Sequence, residues 1–198
     1  NDLASGPESV RIDGDLAVTG DLLIRSDDVV VNDNVEVGGR LQVDAQRDIS
    51  ISAGGLLARN VFLTSATGRI TMGSSAGTVM GGVIELTAQA GIGTLASPMI
   101  TDADQILFRV TGSGSAYIRD VGDVLVENGV TNQGEIRIAS AGVLQLGNRG
   151  GQKVIDAGGN LLAEAETLQV PGSLDALGNL SMTATTLDVA GDVSAQSG

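Results

Sequence analysis

The sequence predicts an all-β chain that coils into a single-stranded parallel β-solenoid. Large aliphatic residues alternate with polar ones at the two-residue period of a strand, and these short alternations recur along the whole chain. Gly or Asp commonly stands between them, as expected at corners. Aromatic residues make up only 2% of the composition, so the core must be built from Val, Ile, Leu and Ala in uniform layers.

The first half-dozen alternations advance by only six or seven residues. If three strands complete one coil, each coil takes roughly 18–20 residues and the chain forms about nine or ten coils. At a strand spacing of about 4.8 Å, the rod would be roughly 45 Å long. We expect the coil to be right-handed, and residues 1–198 to form one domain that is a fragment of a larger repeat protein. The aliphatic pairs that form the first six alternations are Val10/Ile12, Leu16/Val18, Leu22/Ile24, Val29/Val31, Val35/Val37 and Leu41/Val43.

The same pairing continues to the C-terminal part of the chain with longer corners. An antiparallel sandwich would place strands every 8–12 residues and join them by hairpin turns, whereas only one Asn-Gly pair, Asn128-Gly129, is present. The solenoid is therefore the better interpretation. The later pairs are Ile49/Ile51, Val61/Leu63, Ile70/Met72, Ile84/Leu86, Ile106/Phe108, Ala116/Ile118, Val124/Val126, Ile136/Ile138, Leu144/Leu146, Leu168/Val170, Leu180/Met182 and Leu187/Val189.

Three features interrupt the regular pattern. Residues 91–104 include Pro98 and lack the pairing, which predicts a loop or a wider coil. Residues 160–170, rich in Ala, Leu and Glu, could instead form an amphipathic helix, although the strand rhythm resumes at Leu168. Paired glycines predict corners with positive φ; the candidates are Gly54-Gly55, Gly81-Gly82, Gly150-Gly151 and Gly158-Gly159.

Charge and residue types narrow the function classes. The formal net charge of −13 disfavours nucleic acids and anionic membranes as partners. The chain has no cysteine and no histidine, which removes disulfides, thiolate or imidazole metal sites, and Ser-His-Asp catalysis. It contains no apolar stretch of the roughly 18 residues needed for a membrane-spanning helix.

Two segments resemble a known family. Residues 81–129 are similar to the repeats of filamentous-haemagglutinin-like adhesins, the large exoproteins of two-partner secretion. The resemblance lies in a strand near Ile84, the Gly91-Ile92-Gly93 turn, Pro98, and further strands at Ile106 and Ile118. Residues 158–195 look like structural repeats of the same family. The NPNG and NPNGI motifs of that family's secretion domain are absent from this sequence.

The resemblance implies a right-handed β-helical shaft of a bacterial surface or secreted protein. Such a shaft would hold distal modules for adhesion or biofilm formation, and other parts of the protein would contact host or matrix glycans or proteins. Its own partners would be neighbouring repeats or end-to-end copies. Residues 10–43 also resemble bactofilins, which are cytoplasmic β-helical polymers. A carbohydrate-active β-helix enzyme is a third alternative.

An enzyme would need a groove lined by Arg119, Asp120 and Asp123, since β-helical polysaccharide lyases use Asp-bound calcium and an Arg base. We expect these three residues to be solvated at a corner. We therefore assign no catalytic, cofactor-binding or metal-binding residue, and predict that the chain is not an enzyme.

Other candidate residues have simpler structural explanations. Turn formation accounts for the acidic groups better than calcium binding does; they are Asp27, Asp28 and Asp33, and Asp102 and Asp104. Asn179-Leu180-Ser181 fits the glycosylation pattern, but three-residue matches are common. The aromatic residues Phe62, Phe108 and Tyr117 are candidate surfaces for stacking on a sugar. Phe108 should point into the core, and Tyr117 should point outward because it lies between two inward residues. One exposed tyrosine does not by itself make a binding site.

Overall fold

The computed structural model describes residues 2–3, 8–147 and 153–196, and it confirms the predicted fold class. Every regular element in these ranges is a strand, and all the strand pairs are parallel. One side of the stack contains nine successive strand segments, so the solenoid has about nine coils. No helix in the described ranges is long and apolar enough to cross a membrane.

Several strands are long because they continue around a corner from one side of the coil to the next. The strands are β1 (Asp2–Leu3), β2 (Val10–Ile12), β3 (Leu16–Val18), β4 (Leu22–Ser26), β5 (Val29–Val31), β6 (Val35–Ala45), β7 (Ile49–Ser65), β8 (Arg69–Ala88), β9 (Gly91–Ile92), β10 (Met99–Val110), β11 (Ala116–Asp120), β12 (Val124–Thr131), β13 (Ile136–Ser140), β14 (Val143–Leu146), β15 (Lys153–Ala157), β16 (Leu161–Val170), β17 (Ser173–Ala176), β18 (Leu180–Val189) and β19 (Val193–Ala195).

The core consists of columns of inward side chains, one from each coil. Coils near both ends advance by 19 residues, so Val10 pairs with Val29 and Leu161 with Leu180. Because the strands are parallel and in register, aliphatic side chains of neighbouring coils lie directly above one another. One such column contains Leu22, Leu41, Val61, Ile84 and Ile106, all at most 2% exposed.

We number the sides of the solenoid from the first coil: face 1 begins with β2, face 2 with β3 and face 3 with β4. Face 1 continues through every coil to the first half of β18. Face 2 ends in the middle of the rod. Its column of Val18, Val37, Ala58, Gly81 and Ala103 changes from valine to alanine and glycine towards that end.

Face 3 divides where face 2 ends. Residues Glu127 and Asn128 interrupt the register between β10 and β12, so that Ile106 pairs with Val126 but Phe108 pairs with Gly129. The segment of β12 beyond this bulge pairs with β15, β15 pairs with β17, and β17 pairs with β19. These stacked segments form a new side that we call face 4. The cross-section of the solenoid is therefore three-sided at both ends. Faces 1, 2 and 3 form it in the first coils, and faces 1, 3 and 4 form it in the last coils.

The features that interrupt the sequence pattern have mixed outcomes. Residues 160–170 do not form a helix, because Leu161, Ala163 and Leu168 are inward residues of strand β16. The central loop is confined to residues 93–98, since Met99 begins a strand in which Met99, Thr101 and Ala103 are buried.

The glycine corners are only partly confirmed. Gly54 has a φ of +66°, whereas Gly81, Gly82, Gly158 and Gly159 do not have positive φ. Glycine is required at position 158 for a different reason: a Cβ there would lie 2.2 Å from the backbone oxygen of Asn132 in the preceding coil. The pair Gly150-Gly151 lies outside the described residues.

Candidate functional site

A buried polar ladder replaces aliphatic residues where face 2 ends. Val79 pairs with Thr101, Thr101 with Asp120, and Asp120 with Ser140, so these residues share one inward column. Thr101 and Asp120 are fully buried and Ser140 is 8% exposed. The prediction that Asp120 is solvated at a corner is therefore wrong: its side chain points into the rod.

Asp120 accepts three hydrogen bonds that close the corner. The Thr101 hydroxyl (2.8 Å) and the Ala103 backbone N–H (3.2 Å) donate to Oδ2, and the Gly122 backbone N–H (2.9 Å) donates to Oδ1. Burial raises the pKa of Asp120 above its ordinary value, and these donors oppose part of that rise. The carboxylate is thus held by three hydrogen-bond donors, and its side chain is not exposed to solvent.

Arg119 and Asp123 do not join Asp120 in one cluster. Arg119 is exposed on face 1, on the opposite side of the strand from Asp120. Asp123 lies at the corner, where its Oδ1 accepts a 2.7 Å hydrogen bond from the Val143 backbone N–H. The lyase-like arrangement considered from the sequence is therefore not formed by these three residues.

The other acidic residues mostly connect one coil to the next. Asp28 accepts from the Arg47 guanidinium and from the Asp48 backbone N–H, and the Arg47 hydrogen bond is the main reason that the pKa of Asp28 is lowered. Asp33 accepts from the adjacent Asn34 N–H, as the turn prediction implied. Asp102 and Asp104 are exposed. No group of three potential acidic ligands that could hold a metal ion occurs in the described ranges.

Hydrogen bonds between the corners of neighbouring coils recur regularly along the rod and were not predicted from the sequence. A carboxylate or amide oxygen at a corner accepts the backbone N–H of a residue 19 to 21 positions later, in the neighbouring coil. The sequence pattern that could have revealed these bonds is an Asp or Asn placed about one coil length before a corner residue. The pairs are Asp21 with Arg40, Asn34 with Gly55, Asp48 with Arg69, Asp123 with Val143 and Asn160 with Asn179.

The aromatic residues lie where the alternation placed them. Phe108 is 2% exposed in the core, and Tyr117 is a half-buried outward residue, as predicted. Phe62 also faces outward, but the Arg40 guanidinium lies 4.2 Å from its ring centroid and covers it. Asn179 is exposed, and its glycosylation stays a prediction.

A groove on face 1 is the strongest candidate for a binding site. Its volume is about 650 Å³. Ala139 pairs with Arg119 on one side and with Glu164 on the other, so a small residue separates two long side chains and leaves a depression. The lining residues are Leu95, Pro98, Tyr117, Ile118, Arg119, Arg137, Ala139, Ser140, Ala141, Glu164, Ala165 and Thr183.

The loop of residues 93–98 forms one end of this groove. Thr94 and Ser97 bond each other through backbone groups at 2.9 and 3.1 Å, and the Ser97 hydroxyl donates to the Met72 backbone oxygen at 2.6 Å. Gly93 has a φ of +61°, and a Cβ at this position would lie 2.5 Å from the Tyr117 backbone oxygen. The loop is therefore fixed against the coils on both sides, and Leu95, 63% exposed, stands at its tip.

Comparison with known proteins leaves the family open. No protein-family model matches the chain, and no curated protein or solved structure matches it. The adhesin-like and bactofilin-like resemblances therefore belong to the proposals that follow.

Proposed function

We propose that this chain is a non-catalytic structural shaft segment of a large bacterial surface or secreted protein. The unbroken succession of parallel pairs from the first coils to β19 supports this proposal, because such a stack sets a distance that is proportional to the number of coils. The role implies that adhesion or biofilm formation is performed by modules attached to the rod.

The coil register allows a direct test of the spacer role. Leu22 pairs with Leu41, so deletion of residues 22–40 removes one 19-residue coil and places Leu41 where Leu22 was. We expect the shortened protein to fold and its ends to approach by about 4.8 Å. Because the chain has no cysteine, Arg11→Cys and Ser181→Cys would give two unique dye positions for energy-transfer measurements.

The matched control is deletion of residues 22–31, which removes about half a coil. It should destabilise the rod, because the following inward residues no longer meet their columns. An unchanged end-to-end distance after deletion of residues 22–40, or polysaccharide cleavage by the unmodified protein, would contradict the shaft proposal.

End-to-end self-assembly, as in bactofilins, is a second proposed function. Inward positions of the last strands are uncovered: Leu187 is 51% and Val189 is 42% exposed. Exposed strand edges of this kind are templates for association. The segment 187–195, LDVAGDVSA, has the same spacing as the segment 10–18, VRIDGDLAV, including the Gly-Asp corner.

This match defines the proposed contact between two copies. Stacking residues 187–195 of one copy on residues 10–18 of the next would place Leu187 over Val10, Val193 over Leu16 and Asp188 beside Arg11. Sedimentation velocity should then show association that increases with protein concentration and is lost in Leu187→Glu. Reversing both charges, Arg11→Asp with Asp188→Arg, should preserve it. A concentration-independent monomer would eliminate this second function and leave the spacer role intact.

A further inference from the structure

We propose that the groove on face 1 binds an extended carboxylated saccharide, with Arg119 holding a carboxylate and Tyr117 supporting a sugar ring. This binding function is additional to the spacer role and does not depend on it. The shape, the charge and the aromatic surface of the groove each contribute to the proposal.

The shape of the groove fits an extended ligand. The groove begins at the 93–98 loop, in the coil of β9, and ends at Thr183 in β18. It therefore crosses five successive strands of face 1, which corresponds to roughly 19 Å along the rod. Its floor is made of small residues, including Ala139 and Ala165, while longer side chains form its sides. A linear oligosaccharide of several units matches this length.

The charge of the groove is positive on a strongly acidic chain. Arg119 makes no ion pair with any acidic side chain in the described ranges, and its guanidinium is exposed. Glu164 is the acidic residue among the lining residues, and Arg137 Nη2 lies 3.3 Å from both of its carboxylate oxygens. Arg119 is thus the available donor, and a guanidinium matches a carboxylate through two parallel hydrogen bonds.

Tyr117 supplies the surface for the sugar ring. It pairs directly with Arg137 on the neighbouring strand, and Arg119 follows it by two positions on the same face of β11. A tyrosine offers an apolar ring with a polar hydroxyl at its tip, which suits a sugar with its apolar C–H face and hydroxyl rim. The fixed loop with Leu95 and Pro98 closes the end of the groove beside these residues.

The test is calorimetric titration of the full chain with tetragalacturonate, its methyl-esterified form and a neutral tetrasaccharide. We expect saturable binding of the free acid and at least tenfold weaker binding of the ester and of the neutral sugar. Arg119→Gln should weaken binding about tenfold, as loss of a charge-assisted contact does. Tyr117→Ala should weaken it several-fold.

Two further variants make the assignment specific. Glu164→Gln removes the carboxylate that occupies Arg137 and should strengthen binding about threefold. Arg59→Gln, which changes an exposed arginine away from the lining residues, should leave it unchanged. Thermal unfolding of each variant checks that these outward substitutions retain the fold.

The proposal would be overturned by no saturable binding of tetragalacturonate, by equal binding of the neutral sugar, or by equal weakening in Arg59→Gln and Arg119→Gln. Tighter binding of a sulfated tetrasaccharide of the same length would overturn the carboxylate assignment.

Discussion

The first coils and the middle of the rod use the same core columns in different ways. In the first coils, the column that starts at Leu16 continues as Val35, Leu56 and Val79, all aliphatic. In the middle the same column holds Thr101, Asp120 and Ser140: Asp120 and Ser140 bond backbone groups of the corner, and the Thr101 hydroxyl donates to Asp120. This column is therefore aliphatic in the first coils, and it is polar at Asp120 and Ser140, where strands β11 and β13 end.

A second column shows the same contrast in side-chain size. Ile24, Val43, Leu63 and Leu86 are similar in volume, whereas the next two members are Phe108 and Gly129. A Cβ on Gly129 would lie 2.3 Å from Cζ of the Phe108 ring. The first coils stack side chains of similar size, whereas in the middle of the rod a large side chain lies against a glycine. The effects of substitutions at Phe108 and Gly129 on stability should therefore be coupled.

Phe108→Ala should have the largest effect, with a loss of about 3–5 kcal/mol in the free energy of unfolding, because it leaves a ring-sized cavity. Phe62→Ala is the matched control, since Phe62 faces outward and its loss should lower the free energy of unfolding much less.

Gly129→Ala alone should lower the free energy of unfolding by about 1–3 kcal/mol through overpacking against the Phe108 ring. Urea unfolding measures all three.

The double variant Phe108→Leu with Gly129→Ala tests the coupling within this column. The smaller side chain at position 108 makes room for the added methyl group, so the combined loss should be less than the sum of the two single losses. Simple additivity would show that the middle is packed no more specifically than the first coils.

Asp120→Asn should have an intermediate effect. Whichever oxygen the amide nitrogen replaces, it meets a backbone donor, Ala103 N–H or Gly122 N–H, which then loses its acceptor. Although the change removes a buried charge, we expect a loss of about 1–3 kcal/mol. Asp123→Asn is the control, since its amide can keep an oxygen towards Val143 N–H. Equal unfolding midpoints for Asp120→Asn and the unmodified protein would refute the role of this ladder.

The smallest effect is expected from an exposed corner of the first coils. The pKa of Asp28 is lowered from 3.8, mainly by its hydrogen bond from Arg47, so its stabilising contribution is present above 3.8 and is lost as the pH falls through the lowered pKa. Asp28→Asn should therefore be slightly less stable than the unmodified protein at neutral pH and equally stable in strong acid. Unfolding midpoints across this pH range measure the difference, and a constant gap would contradict the assignment.

The sequence predicts the structure of the first coils, with their similar aliphatic residues, much better than that of the middle of the rod. Alternating aliphatic residues identified strands such as those at Val10 and Ile49, and the inward direction of Phe108. The strand segment at Leu56 was missed because Gly54-Gly55 precedes it, and the buried strand end at Asp120 was missed because alternation recognises only apolar inward residues. The groove could not be predicted, since Arg119, Ala139 and Glu164 become neighbours only through coil registers of 20 and 25 residues.

The corner bonds between coils also bear on how the rod assembles from an unfolded chain. Each bond joins residues 19 to 21 positions apart, and the strand pairs of neighbouring coils are 19 to 26 residues apart, so every new coil requires closure of a loop of limited length. The entropy lost in closing a loop depends on its length, not on how many loops are already closed. A longer rod of this kind would have a mean contact separation that does not grow with the number of coils. Its topology would then slow folding no more than that of a short one.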